Sequence, residues 1–362
     1  MLDRREFLGA LGVAPIALRL FGLDSEETYQ VSLQKLIYAS PGGKGLALDL
    51  YLPEKQTAQT PVIVFLHGGG WSGGTTTTGP DFRRFFAQDG FAMASIEYRL
   101  TPSVTFPSNA EDVKTAIRWL RTNADRYGLN PRKIGLWGTS AGGHLAAIAG
   151  LSPAGMFEGE GNLDQSSEVQ CVLDAYGPSS FDRMDAETED EKAMLQPVSP
   201  ALANAPPMIA GVVAGNPTDA RSRQGPPRGP LPHDDPNSAE SRLVGAPIQT
   251  VPDKVKFASP LTYVKRGAPP FLLMHGLADN SVPHHQSVLL YEALAAAGND
   301  VTLRLVDGLP HTFFNRSNLD ELAGPFRMDV RTHPAGGHEI RSMERAGVFD
   351  VARAFFAKYL TP

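Results

Sequence analysis

Residues 133–144 constrain this chain more than any other stretch. Ile134-Gly135-Leu136-Trp137 is a short apolar run that reads as a buried strand. Gly138-Thr139-Ser140-Ala141-Gly142 follows, and residues 145–151 are apolar and alanine-rich, as a buried helix would be. Strand, sharp turn and helix form the setting in which G-x-S-x-G presents a nucleophilic serine at an elbow. Such a turn holds Ser140 in strained backbone, so the residues two positions to either side must be small. The serine then sits at a helix N-terminus, where free N–H groups favour developing negative charge.

The rest of the chain fits around that unit. Residues 35–39 and 45–52 alternate about Pro41-Gly42-Gly43-Lys44-Gly45, which predicts a hairpin. Strands are expected at 62–66, 91–96, 169–175, 271–275 and 301–306, and helices at 81–88, 111–126, 285–297 and 346–359. In 111–126, Val113, Ile117 and Leu120 share one helical face. The alternation predicts an α/β protein whose mostly parallel central sheet carries helices on both faces.

Two segments break the rhythm. Residues 196–236 hold 10 of the chain's 30 prolines, a density that neither helix nor strand tolerates. They predict a surface insertion over about 185–240. Residues 316–340 read as a second irregular insertion, over about 315–342, and as a candidate pocket wall. At the other end, Arg4-Arg5-Glu6-Phe7-Leu8 and an uncharged run to Leu18 resemble a twin-arginine export signal. The run is too short to span a bilayer. The expected organisation is a signal over 1–23, a linker over 24–34 and one domain over 35–362, with export as the expected fate.

Composition removes several alternatives. A net charge of −6 and no basic run give no electrostatic footprint for nucleic acid. Cys171 is the sole cysteine, so no disulfide forms within the chain, and its apolar surroundings, 169–173, read as core. The sequence contains no C-x-x-C or H-E-x-x-H pattern, and only His284 and His285 are adjacent among nine histidines. Metal chemistry therefore has no motif to rest on, and no cofactor is expected.

A serine nucleophile needs a base, and the base needs a carboxylate to orient it. Both belong at C-terminal ends of parallel strands, the edge where the elbow opens. Asp279 follows the strand expected at 271–275, and His311 follows the one at 301–306. Asp307 is the alternative acid, although its closeness to His311 along the chain demands an awkward turn. His275 reads as part of the Asp279 turn and His144 as a core residue. His284 and His285 open a helix, while His233, His333 and His338 fall in the irregular segments.

Acyl transfer builds negative charge on a former carbonyl oxygen, which preorganised N–H donors stabilise. The run His67-Gly68-Gly69-Gly70-Trp71 follows the strand at 62–66, and glycine lets the backbone approach closely. Gly69, Gly70 and Ala141 are the expected donors. His67 is expected to hold their loop, and Trp71 to line the acyl side of the pocket.

These residues carry a resemblance. His67-Gly68-Gly69-Gly70-Trp71, Tyr98-Arg99-Leu100-Thr101-Pro102, the elbow with Gly143-His144-Leu145, and Asp279-Asn280-Ser281-Val282-Pro283 together resemble the α/β-hydrolase fold. The order Ser140, Asp279, His311 is that fold's order. Within it the chain resembles carboxylesterases allied to hormone-sensitive lipase, in the feruloyl/acetyl-esterase-like (BD-FAE type) branch. The likeness covers about 35–183 and 240–314 plus the final helix, and leaves out both insertions. It implies a cofactor-free serine hydrolase acting on small-molecule or carbohydrate esters, with Arg99 and Asp112 as a structural ion pair. Arylformamidases and prolyl peptidases share parts of these motifs, so amide hydrolysis is the alternative.

Overall fold

Ten strands form one sheet in the order β1-β2-β4-β3-β5-β6-β7-β8-β9-β10. The strands are β1 (Val31–Ala39), β2 (Leu46–Pro53), β3 (Thr60–Leu66), β4 (Ala92–Ile96), β5 (Leu129–Thr139), β6 (Cys171–Ala175), β7 (Phe271–Gly276), β8 (Val301–Val306), β9 (Phe326–His333) and β10 (Ile340–Ala346). This computed structural model describes residues 28–54, 59–185 and 232–361. The export signal expected over 1–23 and most of the proline-rich insertion lie outside the described residues.

The six central strands, β4-β3-β5-β6-β7-β8, run parallel. Antiparallel strands close both ends: β2 and β1 on one side, β9 and β10 on the other. A parallel sheet must be covered on both faces, and alternate residues of β3 show how. Val62, Val64 and Leu66 pack into one core with α1 (Ser108–Thr122), α3 (Ala141–Leu151) and α6 (His285–Ala296). Ile63 and Phe65 pack into a second core with α8 (Val348–Leu360). Between these helices lie the shorter α2 (Ala124–Tyr127), α4 (Ala239–Val244), α5 (Pro252–Ala258) and α7 (Leu319–Ala323).

Three expectations need correction. β1 begins at Val31 and pairs from there with Pro53, so the linker expected over 24–34 is already sheet at its end. Residues 81–88 do not form a regular helix. Arg83–Ala87 is π-helical, with Phe85 extended (φ −98°, ψ 136°) and Phe86 at φ 67°. Aromatic packing overrides helix propensity here, because Phe85 stacks on Phe349 at 3.9 Å and Phe86 meets Trp137 and Phe356 edge-on.

The third correction concerns residues 316–340, expected to be irregular. They contain α7, all of β9 and the first residue of β10. Phe326, Met328 and Val330 are buried along β9 while the residues between them are more open, so this strand covers what would otherwise be the exposed edge of β8.

Candidate active site

The elbow forms at the C-terminal end of β5. Ser140 lies at φ 55°, ψ −120°, a left-handed conformation that L-residues avoid, and it is the N-cap of α3. Its N–H donates to the Ala175 carbonyl at 2.9 Å, and its own carbonyl accepts the His144 N–H at 3.0 Å. The glycines two residues away are obligatory. A Cβ on Gly138 would lie 2.0 Å from the Gly142 carbonyl oxygen, and one on Gly142 would lie 2.0 Å from that of Leu66.

Asp279 and His311 emerge from the next strands but one and two, β7 and β8. Their loops are knitted together, since the Ala278 N–H donates to the Leu309 carbonyl and the Leu277 N–H to that of Val306. This brings His311 between the other two residues. Its Nδ1 lies 2.6 Å from Asp279 Oδ2 and its Nε2 lies 2.9 Å from Ser140 Oγ. With one acceptor and one hydroxyl on either side, Nδ1 donates and Nε2 accepts. Asp307 takes no part: it sits 3.6 Å from Arg327, on β9.

Asp279 is held as a carboxylate. Burial works against its charge, but the facing His311, with hydrogen bonds from His275 and His311, overcomes that and keeps it well below the usual carboxylate range. The Ser281 and Val282 N–H groups donate to its other oxygen at 2.8 and 3.0 Å.

The loop after β3 faces the serine. A Cβ on Gly68 would fall 3.2 Å from the Ser140 Cβ, so this loop runs against the elbow. Gly69 and Gly70 have φ of +123° and +57°. Among the described residues, no group accepts a hydrogen bond from the N–H of Gly69, Gly70 or Ala141. His67 lies beneath, fully buried, and burial lowers its pKa to about 4, so the ring is neutral. Its Nδ1–H donates to the Gly68 carbonyl at 2.9 Å and its ring stacks on Tyr98 at 4.4 Å. The Tyr98 hydroxyl in turn donates to the His67 carbonyl at 2.8 Å.

Trp71 departs from its expected place on the pocket wall. The side chain is buried, with the indole N–H donating to His144 Nδ1 at 3.2 Å and the ring edge-on to Phe181. His144 passes the chain on from Nε2 to the Ala258 carbonyl at 2.7 Å. Trp71 therefore fastens the loop after β3 to α3 and, through His144, to α5. Arg99 and Asp112 form a two-point ion pair, and Asp112 also accepts the Arg99 backbone N–H at 2.8 Å.

Sequence reasoning passed over Tyr176. It follows β6 directly, is strained at φ 47°, and sets its ring edge-on to His311 with centroids 4.9 Å apart. Its position just past a strand end beside the elbow was the available signal. A cavity of about 710 Å³ is lined by Phe181, Asp182, Asp185 and Lys256 among others, but by neither Ser140 nor His311. Among the described residues, no helix is long and apolar enough to cross a membrane.

Comparison with known proteins finds a matching family model and a set of esterases. The family model described as BD-FAE matches residues 48–214 and 209–294. Esterase LipC of Mycobacterium tuberculosis is 30% identical over 242 residues, 66% of this chain and 49% of LipC. A solved structure described as a truncated carbohydrate esterase from gut microbiota is 29% identical, with a TM-score of 0.58, and covers 82% of this chain and 95% of its own. The native esterase Est2 of Thermogutta terrifontis is 27% identical, with a TM-score of 0.56, covering 80% and 87%. The chain spans about half the length of the curated relatives it matches.

Proposed function

The chain belongs to the BD-FAE family of α/β-hydrolase esterases, and from that premise we propose that it hydrolyses carboxylic esters through an acyl-enzyme. The observation that carries this reading is the continuous Ser140–His311–Asp279 hydrogen-bonded relay; the N–H groups of Gly69, Gly70 and Ala141, without acceptors among the described residues, support it. His311 Nε2 takes the Ser140 proton as Oγ bonds to the ester carbonyl carbon. The carbonyl oxygen becomes an oxyanion held by the N–H groups of Gly69, Gly70 and Ala141. The imidazolium, steadied by ionised Asp279, returns its proton to the departing alkoxide. His311 Nε2 then takes a proton from water as its oxygen bonds to the acyl carbon, and returns it to Ser140 Oγ as the bond to Oγ breaks, releasing the acid and the free enzyme.

The substrates we propose are small-acyl or aryl esters, including acetyl or feruloyl groups on plant polysaccharide. Likeness to a structure described as a carbohydrate esterase supports this class. Export is also part of the proposal, on the strength of the Arg4-Arg5 run. The test is kcat/KM on 4-nitrophenyl esters from acetate to octanoate and on methyl ferulate. Ser140→Ala and His311→Ala are each expected to lose turnover by ~10⁴-fold. A preference for acetate or ferulate supports the proposal. A preference for long chains refutes the small-acyl class. Absence of Ser140-dependent cleavage of every ester, with amide cleavage in its place, refutes ester hydrolysis.

A further inference from the structure

Behind the relay lies a second histidine. His275, at the end of β7, is fully buried. Its Nε2 is 3.1 Å from Asp279 Oδ2, the same oxygen that faces His311, and 3.0 Å from the Val282 carbonyl. Both neighbours only accept, so Nε2 carries the hydrogen. Nδ1 lies 2.8 Å from Ser287 Oγ on α6 and accepts from that hydroxyl. The tautomer is thus fixed from behind. A hydrogen-bonded chain runs Ser287, His275, Asp279, His311, Ser140, from a buried start on α6 to the partly open nucleophile.

We propose that His275 is a positioning residue for the relay: it fixes the Asp279 carboxylate and moderates the basicity of His311. Two effects follow from the shared oxygen. Oδ2 cannot rotate away from His311 without breaking the His275 bond, so the base keeps its orientation. A neutral donor on Oδ2 also draws off part of the negative charge that His311 feels. Without it, more of that charge acts on the imidazolium, which is then stabilised more strongly and gives up its proton at higher pH. The remaining titratable groups nearby are Tyr176, edge-on to both histidines, and His284, with its ring 6.5 Å from that of His275. His233 pairs with Glu240 and bonds to the Ser281 backbone. None of these is placed on Asp279 Oδ2 as His275 is.

The inference rests on the serine-hydrolase reading, so its test uses a readout that needs no ester. The rate at which a fluorophosphonate labels Ser140 is measured against pH, beside kcat and KM on 4-nitrophenyl acetate. His275→Leu, checked for folding by circular dichroism, is expected to raise the acid limb of the labelling profile by about half a pH unit or more. The same variant is expected to lower kcat about tenfold while leaving KM unchanged. His275→Gln, whose amide reaches the Nε2 position, restores the wild-type limb, whereas His275→Asn, whose amide stops at Nδ1, does not. If the leucine variant does not fold, the Gln and Asn pair decides. An unmoved acid limb in folded His275→Leu, or identical limbs for Gln and Asn, overturns the proposal. Labelling of the wild type without ester cleavage would refute the ester reading and leave this test intact.

Discussion

Asp174 offers a demanding check on the electrostatics around the elbow. It lies on β6 opposite Gly138, is 1% exposed, and one carboxylate oxygen fills the space that side chains on Gly143 or Gly177 would need. Burial raises its pKa from 3.8 to about 7, opposed only by the Gly177 N–H at 3.0 Å. The folded value lies above the unfolded one, so the folded chain holds its proton where the unfolded chain has lost it. Stability therefore falls as pH rises from about 4 to about 7, and the full penalty is present above the folded value. A rise of that size corresponds to about 4 kcal/mol, of which about 2–3 kcal/mol develops between about pH 5 and about pH 8. Asp174→Asn removes the ionisation and keeps an acceptor for the Gly177 N–H. Its stability relative to the wild type, from urea unfolding at constant ionic strength, is expected to improve by about 2–3 kcal/mol between those two pH values. A difference that does not change with pH, or that moves the other way, would refute the reasoning.

Two further variants probe the support of the serine. Gly142→Ala forces a methyl against the Leu66 and His67 carbonyl oxygens, at 2.0 and 2.7 Å. It should cost about 3 kcal/mol or more by urea unfolding, with fluorophosphonate labelling of Ser140 slowed, and a wild-type midpoint would contradict the elbow geometry. Trp71→Phe leaves His144 Nδ1 buried without its donor, which should cost about 1–3 kcal/mol while acyl-chain preference stays unchanged. A changed preference at undiminished stability would return Trp71 to the pocket wall.

What the sequence made legible follows from how strongly each element was constrained locally. The elbow could be read because sterics dictate its glycines: Gly138 and Gly142 leave no room for a side chain, and such compulsion shows in one sequence. Asp279 and His311 were readable through chain order, since a parallel sheet presents the C-terminal ends of its strands together. The segment at 83–87 was not readable, because its shape is set by Phe349, Trp137 and Phe356, remote in sequence. β9 did carry a period of two in Phe326, Met328 and Val330, masked by interleaved charges and the neighbouring Gly324-Pro325. β10 had no period to find, for both its faces are exposed. The burial of Trp71 against His144 was not readable, because an aromatic after a glycine-rich loop reads alike whether it faces substrate or a buried histidine.

The antiparallel strands at both ends of the sheet bear on how the molecule comes apart. β5, β7 and β8, which carry Ser140, Asp279 and His311, each have a strand on either side. Fraying is expected to start where, among the described residues, a strand has a neighbour on one side only, at β1 or β10, and such openings require far less free energy than exposure of central strands. The strands that carry the relay are thus expected to open last. The amides of β5, β7 and β8 should exchange with solvent only on global unfolding, and fluorophosphonate labelling of Ser140 should survive the loosening of the margins.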